Sequence, residues 1–211
     1  MDDYESRSRL RSTIKMIRRS TLLFLLLLNC SFADDDWHIE GSVGFVHNFS
    51  TDLKIDAFTI NADYETRSFE GPLYYSVRAG SALWDVELIH QKIYLQNPAG
   101  EVQSFSVSHG YNLILLNYAW RIDDFIIRVG GGAILAHPEI RFRENFFEPG
   151  YNLTGPAFQV SVQKKFTVSN RLFLSAEGKV TAARAHFSIN GSEISAPNIA
   201  LHALFGFGLQ L

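Results

Sequence analysis

The sequence predicts an all-β protein, an eight-stranded antiparallel up-and-down transmembrane β-barrel. Three observations predict it. Apolar residues recur with a period of two rather than 3.6. Long and short connections alternate along the chain, as they do when short turns close one side of a membrane barrel and longer loops extend from the other. The three tryptophans, Trp37, Trp84 and Trp120, all fall at the short-turn ends, where an interfacial girdle belongs.

The elements follow in chain order. Residues 1–33 read as a secretory signal peptide. Arg18 and Arg19 precede the apolar run Thr21–Leu28, and the small residues Ser31 and Ala33 follow two apart. The run is too short to span a bilayer, which takes about 20 residues. Cleavage is expected after Ala33, and Met16 is a candidate true start, since residues 1–15 are polar. A lipoprotein signal acylated at Cys30 is the competing reading, for which Asn29 is a poor fit. Removing the signal takes six basic and three acidic residues out of 19 and 22, leaving a mature chain 34–211 of net charge −6 without cysteine. That excludes a disulfide framework and a thiolate metal site. It also argues against a nucleic-acid partner.

Eight strands are expected, at about 37–49, 72–80, 84–95, 103–119, 125–137, 154–166, 171–184 and 198–211. The sixth is the plainest. Phe158, Val160, Val162 and Phe166 alternate with Gln159, Ser161, Gln163 and Lys165. The last runs from Ile199 to Leu211 with apolar residues at every odd position. The connections 81–83, 120–124 and 167–170 are short, whereas 50–71, 96–102, 138–153 and 185–197 are longer. A secreted soluble barrel is the remaining alternative. It requires the outward set, such as Phe158 and Val160, to lie inside.

A barrel of eight strands has a lumen that side chains fill, so a general porin is not expected. Inward parity assigns it Tyr74, Ser76, Arg78, Asp85, Glu87, Gln91, Arg128, Gln159, Gln163, Glu177, Lys179 and His202, with Gly130 and Gly132 making room for bulky neighbours. Buried charge is costly unless paired, so Arg78, Arg128 and Lys179 are expected to meet Glu87 and Glu177. The alternative to such a plug is a proton or ion path.

The mature chain resembles the small eight-stranded outer-membrane barrels of the Gram-negative cell envelope over roughly 37–211. The resemblance rests on architecture and on the C-terminal strand Phe205–Leu211, which ends in leucine where the pattern has an aromatic residue. It implies an outer-membrane location. It also implies lipid, lipopolysaccharide and the barrel-assembly machinery as partners, and no cofactor. A narrower stretch, Arg184-Ala185-His186-Phe187-Ser188, is similar to the His-x-Ser motif of the lipid A 3-O-deacylases. That resemblance implies Ser188 as nucleophile and His186 as base of an ester hydrolase. The nearest downstream acid is Glu193, and Ile189 stands where that family has an asparagine. Positions i and i+2 of a strand share a face, so both side chains would point to lipid. A rim histidine and serine without catalytic role is the other reading.

Of the other histidines, His47, His90, His109 and His137 are assigned outward parity. No ligand spacing links them, so a metal site would have to be assembled across strands, and none is assigned. A lipid-facing histidine at mid-membrane is costly, so bulges are expected to turn His90 or His109 inward. Gly110 would host one and place His109 beside Ser106 or Asn112. His109 is a candidate binding residue, a structural histidine being the alternative. Arg141 and Arg143, in the aromatic loop 138–150, are candidates for lipopolysaccharide phosphates or are simply solvated charge. The acidic stretch 50–71 is expected to bind a partner or cap the barrel mouth.

Overall fold

The computed structural model describes residues 37–143, 145–189 and 191–211, with the side chain of Ile189 excepted. The signal peptide, its cleavage site and Cys30 lie outside the described residues.

Thirteen strands follow in order: β1 (His38–Phe49), β2 (Thr51–Ile55), β3 (Phe58–Ala62), β4 (Tyr64–Glu65), β5 (Tyr75–Gly80), β6 (Trp84–Leu95), β7 (Val102–Ile122), β8 (Phe125–Ala136), β9 (Glu139–Phe142), β10 (Asn145–Phe147), β11 (Asn152–Thr167), β12 (Leu172–Ile189) and β13 (Ser192–Gln210). Eight of them close a ring in the order β1-β5-β6-β7-β8-β11-β12-β13 and back to β1, every pairing antiparallel. Each expected strand maps onto one member of the ring. Because neighbours in space are neighbours along the chain, this is an eight-stranded up-and-down barrel of transmembrane type.

The outward face is apolar all round. Phe45, Val77, Val86, Leu116, Val129, Phe158, Val160, Leu174, Leu201 and Phe205 are exposed, Phe158 at 60% and Phe205 at 62%. A soluble barrel needs Phe158 and Val160 inside, so that alternative fails. Trp84 and Tyr118 pack edge to face at 5.0 Å, and Tyr118 lies 5.9 Å from Trp120, forming part of a girdle at the short-turn end.

The long-connection side differs from expectation at 185–197. There is no long loop there. β12 and β13 run on as one hairpin until Ile189 pairs with Ser192. Ala185, Phe187, Ile194 and Ala196 keep the inward alternation and are buried. Pro197 falls between the end of the β1 pairing at Ile199 and the β2 pairing at Ser195, a gap where a residue without an N–H is tolerated. The β2–β3 hairpin leans on this projection through Ile55 and Lys54, and β9–β10 adds to the end of β7. Leu53 and Ile55 point into the same core as Tyr64, Phe105, Ile140 and Phe142. The connection 50–74 therefore caps the barrel mouth with apolar side chains. A membrane crossing uses about 9–11 residues, so strands of 21, 18 and 19 residues project well beyond it.

Candidate functional site

The barrel interior has two tiers. The tier toward the short turns is ionic. Arg78, only 2% exposed, donates through Nη2 to Glu177 Oε1 and Oε2 at 2.9 and 3.0 Å and meets Glu87 Oε2 at 3.0 Å. It also reaches Glu40 Oε2 and Asp85 Oδ1, each at 3.4 Å. Lys179 donates to Glu87 and lies 3.7 Å from Glu177. Ser76, Gln159 and Asn117 donate to Glu87 at 2.5, 2.6 and 3.2 Å. One expectation is corrected. Arg128 meets neither Glu87 nor Glu177 but donates through Nε to Asp85 Oδ2 at 2.7 Å and through Nη1 to Gln163 at 2.9 Å. Arg128 sits on β8, two strands from Asp85 on β6, and Asp85 is the acid at its own level.

Glu40 is the acid that parity reading left out. It takes hydrogen bonds from Ser175 and, at 2.7 Å, from Gln163. The signal for it was the alternation His38, Glu40, Ser42 in β1. Glycines clear the volume. A Cβ on Gly130 would lie 1.8 Å from Asn117 Oδ1, and one on Gly206 would lie 2.3 to 2.6 Å from atoms of Ser175, Ser42 and Glu40. His202 bridges the two tiers. Tyr74 Oη contacts its Nδ1 and Thr181 Oγ1 its Nε2, both at 2.8 Å. The second tier is the apolar core under the cap, with Ile89, Leu113, Leu115, Ile134 and Leu204 at its base. The two tiers place buried side chains across the lumen.

His186 and Ser188 are exposed on the outward face, opposite Ser195 and Glu193 of β13. Among the hydrogen bonds of the described residues none joins the pair and none holds His186 to an acid. The arrangement therefore lacks the base-to-nucleophile contact that acyl transfer uses.

His90 keeps its outward parity and is nonetheless buried. Its Nδ1 contacts Asn112 Oδ1 at 2.7 Å, and its ring stacks on Tyr75 at 5.0 Å. No bulge turns it inward. A distortion does occur at Gly110, where φ is +129° and the β6–β7 register shifts between Gln91 and Ile93. It acts opposite to expectation. Val107 and Tyr111 point inward, and His109 between them is thrown outward, 55% exposed. Its partners are neither Ser106 nor Asn112. Its Nδ1 lies 2.8 Å from Glu139 Oε1, with Ser108 Oγ at 3.2 Å. Arg143 is occupied: it pairs with Glu101 and lies over Phe58 and Phe142 at 5.6 and 5.0 Å. Arg141 is exposed on β9.

Fold and interior together define a small, closed, side-chain-filled barrel of the transmembrane class. No family model matches the chain, and no curated protein matches it. Among solved structures it is similar to Neisserial surface protein A, at TM-score 0.45 and 9% identity over 83% of this chain and 97% of that one. It is also similar to Ail, the attachment invasion locus protein of Yersinia pestis, at TM-score 0.36 and 8% identity over 81% and 99%. A structure of Ail with the heparin analogue sucrose octasulfate gives 0.37 and 8% over 80% and 99%.

Proposed function

We propose that the protein is an integral, non-conducting barrel of the Gram-negative outer membrane that works through the surface its hairpins present. It is a structural, adhesive or ligand-handling protein rather than a porin or a hydrolase. The observation that carries this reading is the pairing of a continuous outward apolar belt with a lumen filled by paired charge. Exposed apolar area on that scale is insoluble unless lipid covers it. A lumen crossed by Arg78, Arg128 and Lys179, each bonded to carboxylates, leaves no water column for solutes. Lipid and lipopolysaccharide are the expected surroundings, and the exposed Arg141 of β9 is a candidate for their phosphates. The terminal strand Phe205–Leu211 is the segment offered to the assembly machinery.

The test has two arms. Carbonate-washed outer membranes of cells expressing the full chain should retain the protein, and it should migrate differently on gels before and after boiling. Purified into planar bilayers, it should give no steady conductance. Release by carbonate, or stable porin-like steps, would overturn the reading.

A further inference from the structure

We infer that the outer rim carries a binding site for a zinc-class divalent ion, built from His109, His137 and Glu148. The three residues come from different elements: the distorted stretch of β7 beside Gly110, the residue after β8, and the connection leading into β11. Each offers one ligand atom, and these atoms lie within 4.8 Å of one another. The two imidazoles stack at 4.6 Å between centroids and 22° between planes. His137 Nε2 lies 3.1 Å from Glu148 Oε1. A tetrahedral ion bound at ~2.0–2.1 Å sets its ligands about 3.3 Å apart, so this edge already has the right length. The wider separations close by rotation of the exposed Glu148 and a small tilt of the two rings within the Glu139 hydrogen bond.

Two further observations single the cluster out from ordinary surface charge. His137 is 13% exposed, and among the described residues neither of its ring nitrogens makes a hydrogen bond; the Glu148 contact is close but misdirected for one. A nearly buried imidazole facing a carboxylate without bonding it is arranged as a ligand is before metal enters. His109 has the opposite feature. Its Nδ1 is held by Glu139, itself fixed by Ser108, so Nε2 is the nitrogen left to coordinate. A carboxylate behind a ligating histidine fixes its tautomer and ring plane and raises its basicity. Glu139 is thus a positioning residue. Tyr151 closes one side, its ring 5.1 Å from His137 and its hydroxyl donating to the His109 carbonyl at 2.6 Å.

Two imidazoles and one carboxylate suit zinc and its transition-metal neighbours. Magnesium and calcium demand six or more oxygens. Three protein ligands leave a fourth position for water or an external donor. A bound ion ties the connection 148–151 to β7 and β8 and so fixes the shape of the presented surface.

The test uses the full chain expressed in cells and purified from their membranes in detergent, without a histidine tag. Zinc chloride titrated calorimetrically should bind at one ion per barrel, and magnesium chloride should not compete. Glu148→Ala and His137→Ala should each abolish or weaken zinc binding by tenfold or more, and Glu139→Gln by about tenfold. His47→Ala, at another exposed histidine, should leave it unchanged. Glu148 lies in an exposed connection, and a heat-modifiable gel shift shows that each variant is folded. Cobalt(II) in place of zinc should give the intense visible bands of a four-coordinate site, lost in Glu148→Ala. No saturable zinc binding by the unaltered protein, or equal binding by folded Glu148→Ala, would overturn the proposal.

Discussion

Glu87 offers the sharpest test of how the lumen is held. It is fully buried, and five groups converge on it: Arg78, Lys179, Ser76, Asn117 and Gln159. Glu87→Gln keeps the volume, so no cavity term enters. With the amide oxygen in the place of Oε2, Asn117 and Gln159 still donate to it, and the Ser76 hydroxyl turns to accept from the new NH2. The charge is lost, and the new NH2 faces cations. Arg78 keeps Glu177 at 2.9 and 3.0 Å, but Lys179 keeps only Glu177 at 3.7 Å. Leaving one member of a buried pair unmatched costs about 3–5 kcal/mol, and the distant Glu177 puts this case near 3. Lys179→Met is milder, about 2 kcal/mol, because Arg78 remains on Glu87. The double variant removes both charges and should cost about 2 kcal/mol less than the sum of the singles. Urea unfolding in detergent micelles, followed by tryptophan fluorescence, reads this out. With a slope of about 1–3 kcal/mol per molar, Glu87→Gln lowers the midpoint by roughly 1–3 M. Singles that cost under about 0.5 kcal/mol, or strictly additive ones, would refute the claim that paired charge organises the lumen.

Three further outcomes are expected. Gly130→Ala sets a methyl 1.8 Å from Asn117 Oδ1 and should destabilise by about 1–3 kcal/mol, whereas Gly41→Ala meets nothing within 4 Å and should be neutral or better; equal midpoints in the same urea assay would contradict this. Asn112→Leu removes the partner of the buried His90 Nδ1 and should cost about 1–3 kcal/mol, most of it recovered in His90→Phe/Asn112→Leu; a double variant as weak as the single would show that the pair is not what matters. The Asp56 carboxyl, in the turn between β2 and β3, is held below its usual 3.8 by hydrogen bonds from Ser192 and the Glu193 amide. A depressed pKa gives an anchor that is present above the unfolded value and lost as pH falls through the folded one. The protection of the Glu193 amide against exchange, relative to its intrinsic rate, should therefore fall on acidification below about pH 3.8, and Asp56→Asn should remove that pH dependence.

The membrane barrel was legible in the sequence because its physics is local. Each strand must show lipid one face and the lumen the other, so period two marks both the element and the direction of its side chains. Arg78, Glu87, Arg128, Glu177, Lys179 and His202 stand where alternation puts them. Pairing was less legible than burial. Parity gives a side chain's direction but not its height, so Arg128 was given the wrong acids and Glu40 none.

What escaped lies above the membrane, where the constraint is absent. The projecting part of the β12–β13 hairpin is written in Ala, Ser, Asn and Pro, a loop composition. Yet Ala185, Phe187, Ile194 and Ala196 still alternate inward, and Asn190-Gly191 is the dipeptide a two-residue hairpin turn favours. The rim cluster was the least legible feature. His109, His137, Glu139 and Glu148 span 40 positions without a spacing motif. They meet only because one glycine distortion reverses the side of the sheet on which His109 emerges. A single Gly110→Ala substitution tests that dependence. Its Cβ would lie 2.6 to 2.9 Å from atoms of Asn112 and His90 at a φ that side chains rarely adopt. Restoring regular alternation would swing His109 toward the lumen with Val107 and Tyr111. Zinc affinity should then fall as far as in His137→Ala while the barrel stays folded. Undiminished affinity would mean that the backbone at Gly110 is not what presents the histidine.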